Sequence, residues 1–266
     1  MSDDWQQAFE VAERTALEAG RLVMEGFRAS GRVSRKGKFD LVTEFDFASE
    51  ELIRDRIGTA FPSHRIVGEE GEASGEGAFV WYVDPIDGTV NFAHGHPYFC
   101  VSVALFHEAE GLVGIVHAPA LGITWKAARG IGAFRNDETC HVSSRSSLDE
   151  ALCTTGFPGN IAATSDTNEA EIGAFARETR GIRRCGSAAL DLAMVGDGTY
   201  DIYWERALKP WDVGGGMVIV AESGGTLTMY DGSVADPRVG ELVVTNGHLH
   251  SAALELIAAA RRRAFG

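Results

Sequence analysis

Apolar side chains near the start of the chain recur every three or four positions: Trp5, Phe9, Ala12, Ala16, Ala19, Val23 and Phe27. That is the period of one helix face, so an amphipathic helix is predicted over residues 4–29, ended by Ser30-Gly31. A basic loop follows, Ser34 to Asp40. A second helix is predicted from Thr43–Asp46 to about Ala60, carrying Phe47, Leu52, Ile53 and Ile57 inward and stopped at Phe61-Pro62. From Arg65 the apolar runs shorten to strand length. Arg65–Gly68, Phe79–Val83, 98–107, 111–118, 123–128 and 131–135 are separated by glycine or charged turns, and the later ones read as an antiparallel meander. Glu70 to Gly77, rich in Gly, Glu and Ser, reads as a loop.

From about residue 148 the rhythm changes to alternating α and β segments. Strands are predicted at Ala151–Thr155, Gly181–Arg184, Thr199–Tyr203, Gly225–Met229 and Glu241–Thr245. Helices are predicted at Asp166–Thr179, Ser187–Val195, Asp212–Ser223 and His248–Arg263. The change predicts an N-terminal α+β subdomain over 1–145 and a C-terminal α/β subdomain over 146–266, with the boundary near 140–148.

Composition narrows the function classes. The 266 residues suffice for one large domain or two small ones sharing an interface. The net charge of −14, from 24 basic and 38 acidic residues, argues against nucleic acid or an anionic membrane as the main partner. Arg261-Arg262-Arg263 falls at the end of the last predicted helix, where cations oppose the negative end of the dipole. Cys100, Cys140, Cys153 and Cys185 form no CxxC pair, so no zinc framework or disulfide scaffold is expected. No basic and apolar leader opens the chain, and no apolar run approaches the ~18 residues of a membrane span. A cytoplasmic protein is expected.

The candidate chemistry centres on Trp81 to Phe92. A buried strand runs into Asp84-Pro85-Ile86-Asp87-Gly88-Thr89, where Pro85 makes the turn rigid and Gly88 lets a ligand approach the backbone. If a helical turn opens at Thr89, its free N–H groups face an anion. Carboxylates for a hard cation and bare amides for a phosphate then lie within six residues of each other. Taken alone, the segment reads first as an Asp-Pro turn with an Asx-type cap, and it is the other acidic residues that reverse this. Other acidic residues occupy similar places: Glu69 after a strand and Asp212 at a helix start. Glu69 could be one of an exposed pair with Glu70, and Asp212 an N-cap. His94 and His96 form an H-x-H beside this stretch, either a zinc pair or part of a loop next to the site.

The run Asp84-Pro85-Ile86-Asp87-Gly88-Thr89-Val90-Asn91-Phe92 resembles the signature of the inositol monophosphatase family, magnesium-dependent and typically lithium-sensitive phosphatases. Asp40-Leu41-Val42-Thr43-Glu44-Phe45-Asp46, Gly68-Glu69-Glu70 and Trp211-Asp212-Val213-Gly214-Gly215-Gly216 fit the same family in the same order. The resemblance implies a layered α/β/α/β/α sandwich, α+β in its first half and α/β in its second. It implies two to three Mg²⁺ ions, sharing the stabilisation of attacking and leaving oxygens. In that pattern Glu69, Asp84 and the Ile86 carbonyl hold one ion, and Asp84, Asp87 and Asp212 a second. Glu69 shares a third, mostly hydrated one. Thr89 orients the attacking water with Asp46 behind it. Lys36 supplies a basic group near the site, with Lys38 a competitor for that place.

The substrate is expected to touch Asp87, Gly88, Thr89 and Asp212, with Glu205 and the turn Gly186-Ser187-Ala188 on the ring hydroxyls. Glu205 could equally be exposed, and Ser187 only a helix cap. The implied function is hydrolysis of myo-inositol 1-phosphate or a related polyol or sugar phosphate by a homodimer. Fructose 1,6-bisphosphatase and histidinol-phosphate phosphatase are alternatives on the same scaffold. Adenosine 3′,5′-bisphosphatase fits less well, because Val90-Asn91-Phe92 replaces the Lys-Glu-Phe usual after the Thr. A non-catalytic interaction protein, of the kind that associates with transcription machinery, is the reading from a different class.

Overall fold

The computed structural model describes residues 3–29, 33–35, 41–158 and 164–265. Helix α1 (Asp3–Gly26) leads to a small antiparallel pair, β1 (Val33–Arg35) and β2 (Leu41–Thr43), and then to α2 (Glu44–Ala60). The pair replaces part of the predicted basic loop; strands of three residues carry too few alternating positions to show in the sequence.

A seven-stranded sheet follows. It contains β3 (Arg65–Gly68), β4 (Phe79–Asp87), β5 (Cys100–His107), β6 (Glu110–Ala118), β7 (Ile123–Ala128), β8 (Gly132–Arg135) and β9 (Glu138–Thr139), side by side in chain order. A short helix, α3 (Thr89–Ala93), joins β4 to β5. Strands β3 and β4 are parallel, and the rest is the predicted meander.

The second sheet is built from β10 (Leu152–Thr155), α4 (Glu169–Glu178), β11 (Gly181–Arg183), α5 (Ala188–Gly196), β12 (Ile202–Arg206), α6 (Pro210–Glu222), β13 (Thr226–Thr228), β14 (Glu241–Thr245) and α7 (His250–Phe265). Its order is β11-β10-β12-β14-β13, with β10 parallel to both neighbours and β14 antiparallel to both of its own.

Strand alternation distributes these elements into layers. Trp81 and Val83 point toward α1 and α2, joining Ala12, Ala16, Ala19, Ile53 and Ile57. Tyr82, between them, points the other way, into a core shared with Leu190 and Leu192 of α5, Ile219 and Val220 of α6, and Tyr203 and Val244 of the second sheet. Ile202, Trp204 and Val243 face outward again, onto Phe175 of α4 and Ala253 and Ile257 of α7. The result is the layered α/β/α/β/α sandwich. Strands buried on both faces read as unbroken apolar runs, which is why Phe79 to Val83 and 98–107 stand out in the sequence.

Helix α6 lies unusually close to its neighbours. A Cβ on Gly215 would stand 2.8 Å from Ser102 Oγ, and one on Gly216 only 2.3 Å from Leu192 Cβ. The bare backbone there fixes the height of the helix and of Asp212 at its start.

Several elements differ from expectation. Phe47 is 52% exposed rather than inward. The buried stripe of α2 is Asp46, Ser49, Glu50, Ile53 and Ile57, and Phe47 lies roughly 100° round the helix from Asp46. Helix α4 begins at Glu169, not Asp166, because Asn168 sits at φ 69°. The Asn168 side chain bonds Thr155, Gly156 and the Trp204 indole. Strand β12 starts three residues later than predicted, after a turn through Gly198 at φ 77°, and so carries Glu205 on the sheet.

Candidate active site

The apolar run of β4 drives the chain through the sheet and delivers two carboxylates at its end. Asp84 pairs with Ser102 of β5 and Asp87 with Cys100, so three steps on β4 match two on β5. Such a bulge re-aims side chains, and Pro85 inside it needs no N–H partner. Asp84 turns back to accept the Ile86 N–H at 3.0 Å. Gly88 then takes φ 97°, a left-handed conformation that favours glycine. Here a Cβ would also press to 3.1 Å from the Tyr98 carbonyl oxygen and 3.2 Å from that of Gly186.

Thr89 opens α3. Its hydroxyl stands 3.0 Å from Asp46 Oδ1 and 2.9 Å from the Ile86 carbonyl oxygen. The other oxygen of Asp46 accepts the Thr43 N–H at 2.7 Å and the Thr43 hydroxyl at 2.5 Å. Asp46 is therefore both a first-turn capping residue of α2 and the partner of Thr89.

The remaining residues arrive from four other elements. Glu69 follows β3 directly. Ser187 caps α5, and its hydroxyl donates to Asp87 Oδ2 at 2.6 Å, which also takes the Ala189 N–H at 2.7 Å. Asp212 is not the N-cap of α6 but its third residue, reaching back to accept the Lys209 N–H at 2.7 Å. Glu205, at the end of β12, accepts the Tyr203 hydroxyl at 2.9 Å.

Together these residues line a cavity of about 490 Å³ between the two sheets. Glu69, Asp84, Ile86, Asp87, Gly88, Thr89, Gly186, Ser187, Ala188, Glu205 and Asp212 all border it, and Asp46 stands behind Thr89. Lys36 and Lys38 lie outside the described residues. His94 and His96 do not border the cavity.

Asn91, Arg184 and Asp191, not expected at the site from the sequence, also border it. Asn91 Nδ2 donates to the carbonyl oxygens of Tyr98 at 2.7 Å and Cys185 at 2.8 Å, tying the Asp87 turn to the Gly186 turn. Asp191 is 1% exposed and accepts the Tyr98 hydroxyl at 2.6 Å. A lone carboxylate inside Ala188-Ala189-Leu190-Asp191-Leu192-Ala193 was the available signal, since acids are rarely buried without purpose.

Six carboxylates and one guanidinium thus face one space. Burial, and then the neighbouring Glu69, Asp87 and Asp212, push Asp84 well above the carboxylate range. Burial raises Asp87 to about 6, against the bonds from Ser187 and Ala189. Burial and then Asp87 raise Asp212 to about 8. Glu205 is pushed well up by burial, its Tyr203 bond opposing. The cavity lies off the ends of the parallel strands and in front of the N-termini of α5 and α6, where partial positive charge collects.

This donor set fits a hard divalent cation. Every donor is oxygen, and the carboxylates repel one another until a cation joins them. Among the described residues no three His, Cys, Asp or Glu side chains close on one point. Mg²⁺ takes one or two carboxylates and keeps several waters, so it does not need such a cluster.

Comparisons with known proteins give the family and the fold. A family profile described as "Inositol monophosphatase family" matches residues 4–264. An inositol-1-monophosphatase of Synechocystis is 39% identical over 259 residues, 96% of this chain and 90% of the relative. A protein of Pseudomonas aeruginosa named Nus factor SuhB is 39% identical over 263 residues, 95% of this chain and 96% of its own. Among solved structures, an inositol monophosphatase from Anabaena (Nostoc) superposes with a TM-score of 0.89 at 36% identity, covering 96% of this chain and 97% of that one.

Proposed function

The chain belongs to the inositol monophosphatase family, a metal-dependent family of phosphoric monoester hydrolases, and from that premise we propose that it is a Mg²⁺-dependent phosphatase of myo-inositol 1-phosphate or a similar polyol phosphate. The observation that carries the reading is the convergence of Glu69, Asp84, Asp87 and Asp212 in one cavity, beside the N-termini of α5 and α6.

In this reading Glu69, Asp84, Asp87, Asp212 and the Ile86 carbonyl hold two to three Mg²⁺ ions. Bound there, Mg²⁺ would supply the positive charge that phosphoryl oxygens need and make water a better nucleophile at neutral pH. The protein's own groups orient the reaction. Asp46, which cannot donate while ionised, accepts the hydrogen bond from the Thr89 hydroxyl, leaving the Thr89 oxygen free to accept from the attacking water. The bare backbone at Gly88 and Thr89 receives the phosphate. Glu205 and the Gly186-Ser187-Ala188 turn face the ring hydroxyls from the opposite wall. Asp87 links the two walls through Ser187, so ion binding and ring binding share a residue.

Four free cysteines suit a reducing compartment, in keeping with a cytoplasmic enzyme. Among the described residues no helix is long and apolar enough to cross a membrane. A homodimer belongs to the same reading, and sedimentation would test it. The Pseudomonas aeruginosa relative's name favours an added protein-interaction role as a second reading. With the carboxylates in place, that role would accompany catalysis rather than replace it.

A phosphate-release screen with Mg²⁺ tests the substrate. The expected order puts myo-inositol 1-phosphate ahead of fructose 1,6-bisphosphate and histidinol phosphate, with adenosine 3′,5′-bisphosphate last. Exclusive turnover of the adenosine compound would overturn it. Li⁺ is expected to inhibit uncompetitively with substrate.

A further inference from the structure

Glu50 is 2% exposed, on the inner stripe of α2, and does not line the acidic cavity. A buried carboxylate demands partners, and those of Glu50 lie in the turn just after Glu69. Its Oε2 accepts the Glu70 N–H and its Oε1 the Gly71 N–H, each at 2.8 Å. Arg54, one helical turn on, donates Nε to Oε1 at 2.8 Å and Nη2 to the Gly71 carbonyl oxygen at 3.2 Å. The Arg54 guanidinium also reaches Ser74 Oγ at 3.3 Å, where Ser74 bridges back to Ile66 of β3.

The turn is shaped to admit this side chain. A Cβ on Gly68 would come 2.5 Å from Glu50 Cδ, and one on Gly71 2.9 Å from Oε1. The same stripe of α2 reaches two other loops of the site, Asp46 to Thr89 and Ser49 Oγ to the Pro85 carbonyl oxygen at 3.3 Å.

We propose that Glu50 is a positioning residue: by gripping the backbone of residues 70 and 71 it sets where Glu69 stands relative to Asp84, and hence how tightly the site binds its cation. The proposal rests on the reading of Glu69 and Asp84 as ligands. Its physical basis is that a surface turn does not hold a ligand to within the ~0.5 Å that a metal site needs, whereas charge-assisted bonds to two adjacent amides do. Glu50 touches neither substrate nor ion and acts only through the turn.

The test is Glu50→Gln, which keeps size and one acceptor but turns an NH₂ toward one of the two amides. Two quantities are read against wild type: the Mg²⁺ half-saturation of p-nitrophenyl phosphate hydrolysis, and Mg²⁺ affinity of the chelated protein by calorimetry without substrate. Both should weaken about tenfold, with kcat at saturating Mg²⁺ recovering to within about threefold of wild type. If Glu50→Gln does not fold, Gly71→Ala pushes on the same oxygen without removing the charge and should give the same shift. A lowered melting temperature with unchanged Mg²⁺ affinity and half-saturation would make Glu50 a purely structural residue and overturn the proposal. A wild-type protein that binds no Mg²⁺ at all would instead overturn the metal reading, and this inference with it.

Discussion

Asp84 concentrates the tension of the site. It is 1% exposed, its first oxygen is used by the Ile86 N–H, and burial and then four other carboxylates raise its pKa. Asp84→Asn removes one ionisable group from the cluster and keeps an Oδ1 for the Ile86 N–H. The variant should fold at least as stably as wild type without metal, and lose turnover by ~10³-fold or more. Near-normal turnover in folded Asp84→Asn would contradict its place at the centre of the site.

Asp191 gives a separate prediction, in pH. Burial raises it from 3.8 to about 7, with Tyr98 and then Thr154 hydrogen bonds opposing, Asp87 raising and Arg184 lowering it further. The folded-state pKa lies above the unfolded one. Stability from this group is therefore fully present below about pH 4 and lost as pH rises through about 7. Asp191→Asn cannot ionise and can still accept from Tyr98. Its melting temperature relative to wild type should rise between pH 5 and pH 8, by an amount equivalent to a few kcal/mol. A constant difference across that range would mean the Asp191 side chain is not the buried titrating group described.

At the scale of elements, the site is a set of strand ends and helix starts held to one another by a few polar side chains. Asn91 is the most direct of these ties, since its amide spans the Tyr98 and Cys185 carbonyls. Asn91→Ala strands those acceptors and should cost ~1–3 kcal/mol in unfolding free energy, with a raised KM from the loosened Gly186 turn. Asn91→Asp, which offers the carbonyls no donor and adds a charge, should be worse. Denaturant unfolding and steady-state kinetics on both variants check this, and an Asp variant as stable as wild type would be the contrary result.

These ties mark the limit of what the sequence discloses. The β4 run, the meander and Glu241–Thr245 were legible because strands buried on both faces are uniformly apolar. The carboxylates Glu69, Asp84, Asp87 and Asp212 were legible because each sits beside a turn or helix signal and matches a family motif. Glu50, Asp191 and Asn91 were not, because the partners that tie them to the site are backbone groups or a hydroxyl on other elements; the lone acid among apolar neighbours at Asp191 and the Glu50–Arg54 spacing mark a residue without saying what it holds. Phe47 was misread for a related reason: α2 buries Asp46, Ser49 and Glu50, so its inner stripe is polar where an apolar one was sought.

At the scale of the molecule, the five layers place two sheets with parallel strand ends on opposite sides of one acidic cavity. The outer helices complete the cores, while α5 and α6, in the middle layer, touch both sheets and bring their N-termini to the cavity. A net charge of −14 and six acidic side chains lining the cavity disfavour a phosphate ester, so the proposed function requires cations to precede the substrate. That is the central claim, and it is measured most directly by initial rates of phosphate release from myo-inositol 1-phosphate as Mg²⁺ is returned to chelator-treated protein. The account predicts negligible rate without Mg²⁺, a rise to a maximum, and a fall at excess Mg²⁺. Full activity in the chelated protein, unchanged by added Mg²⁺, would contradict it.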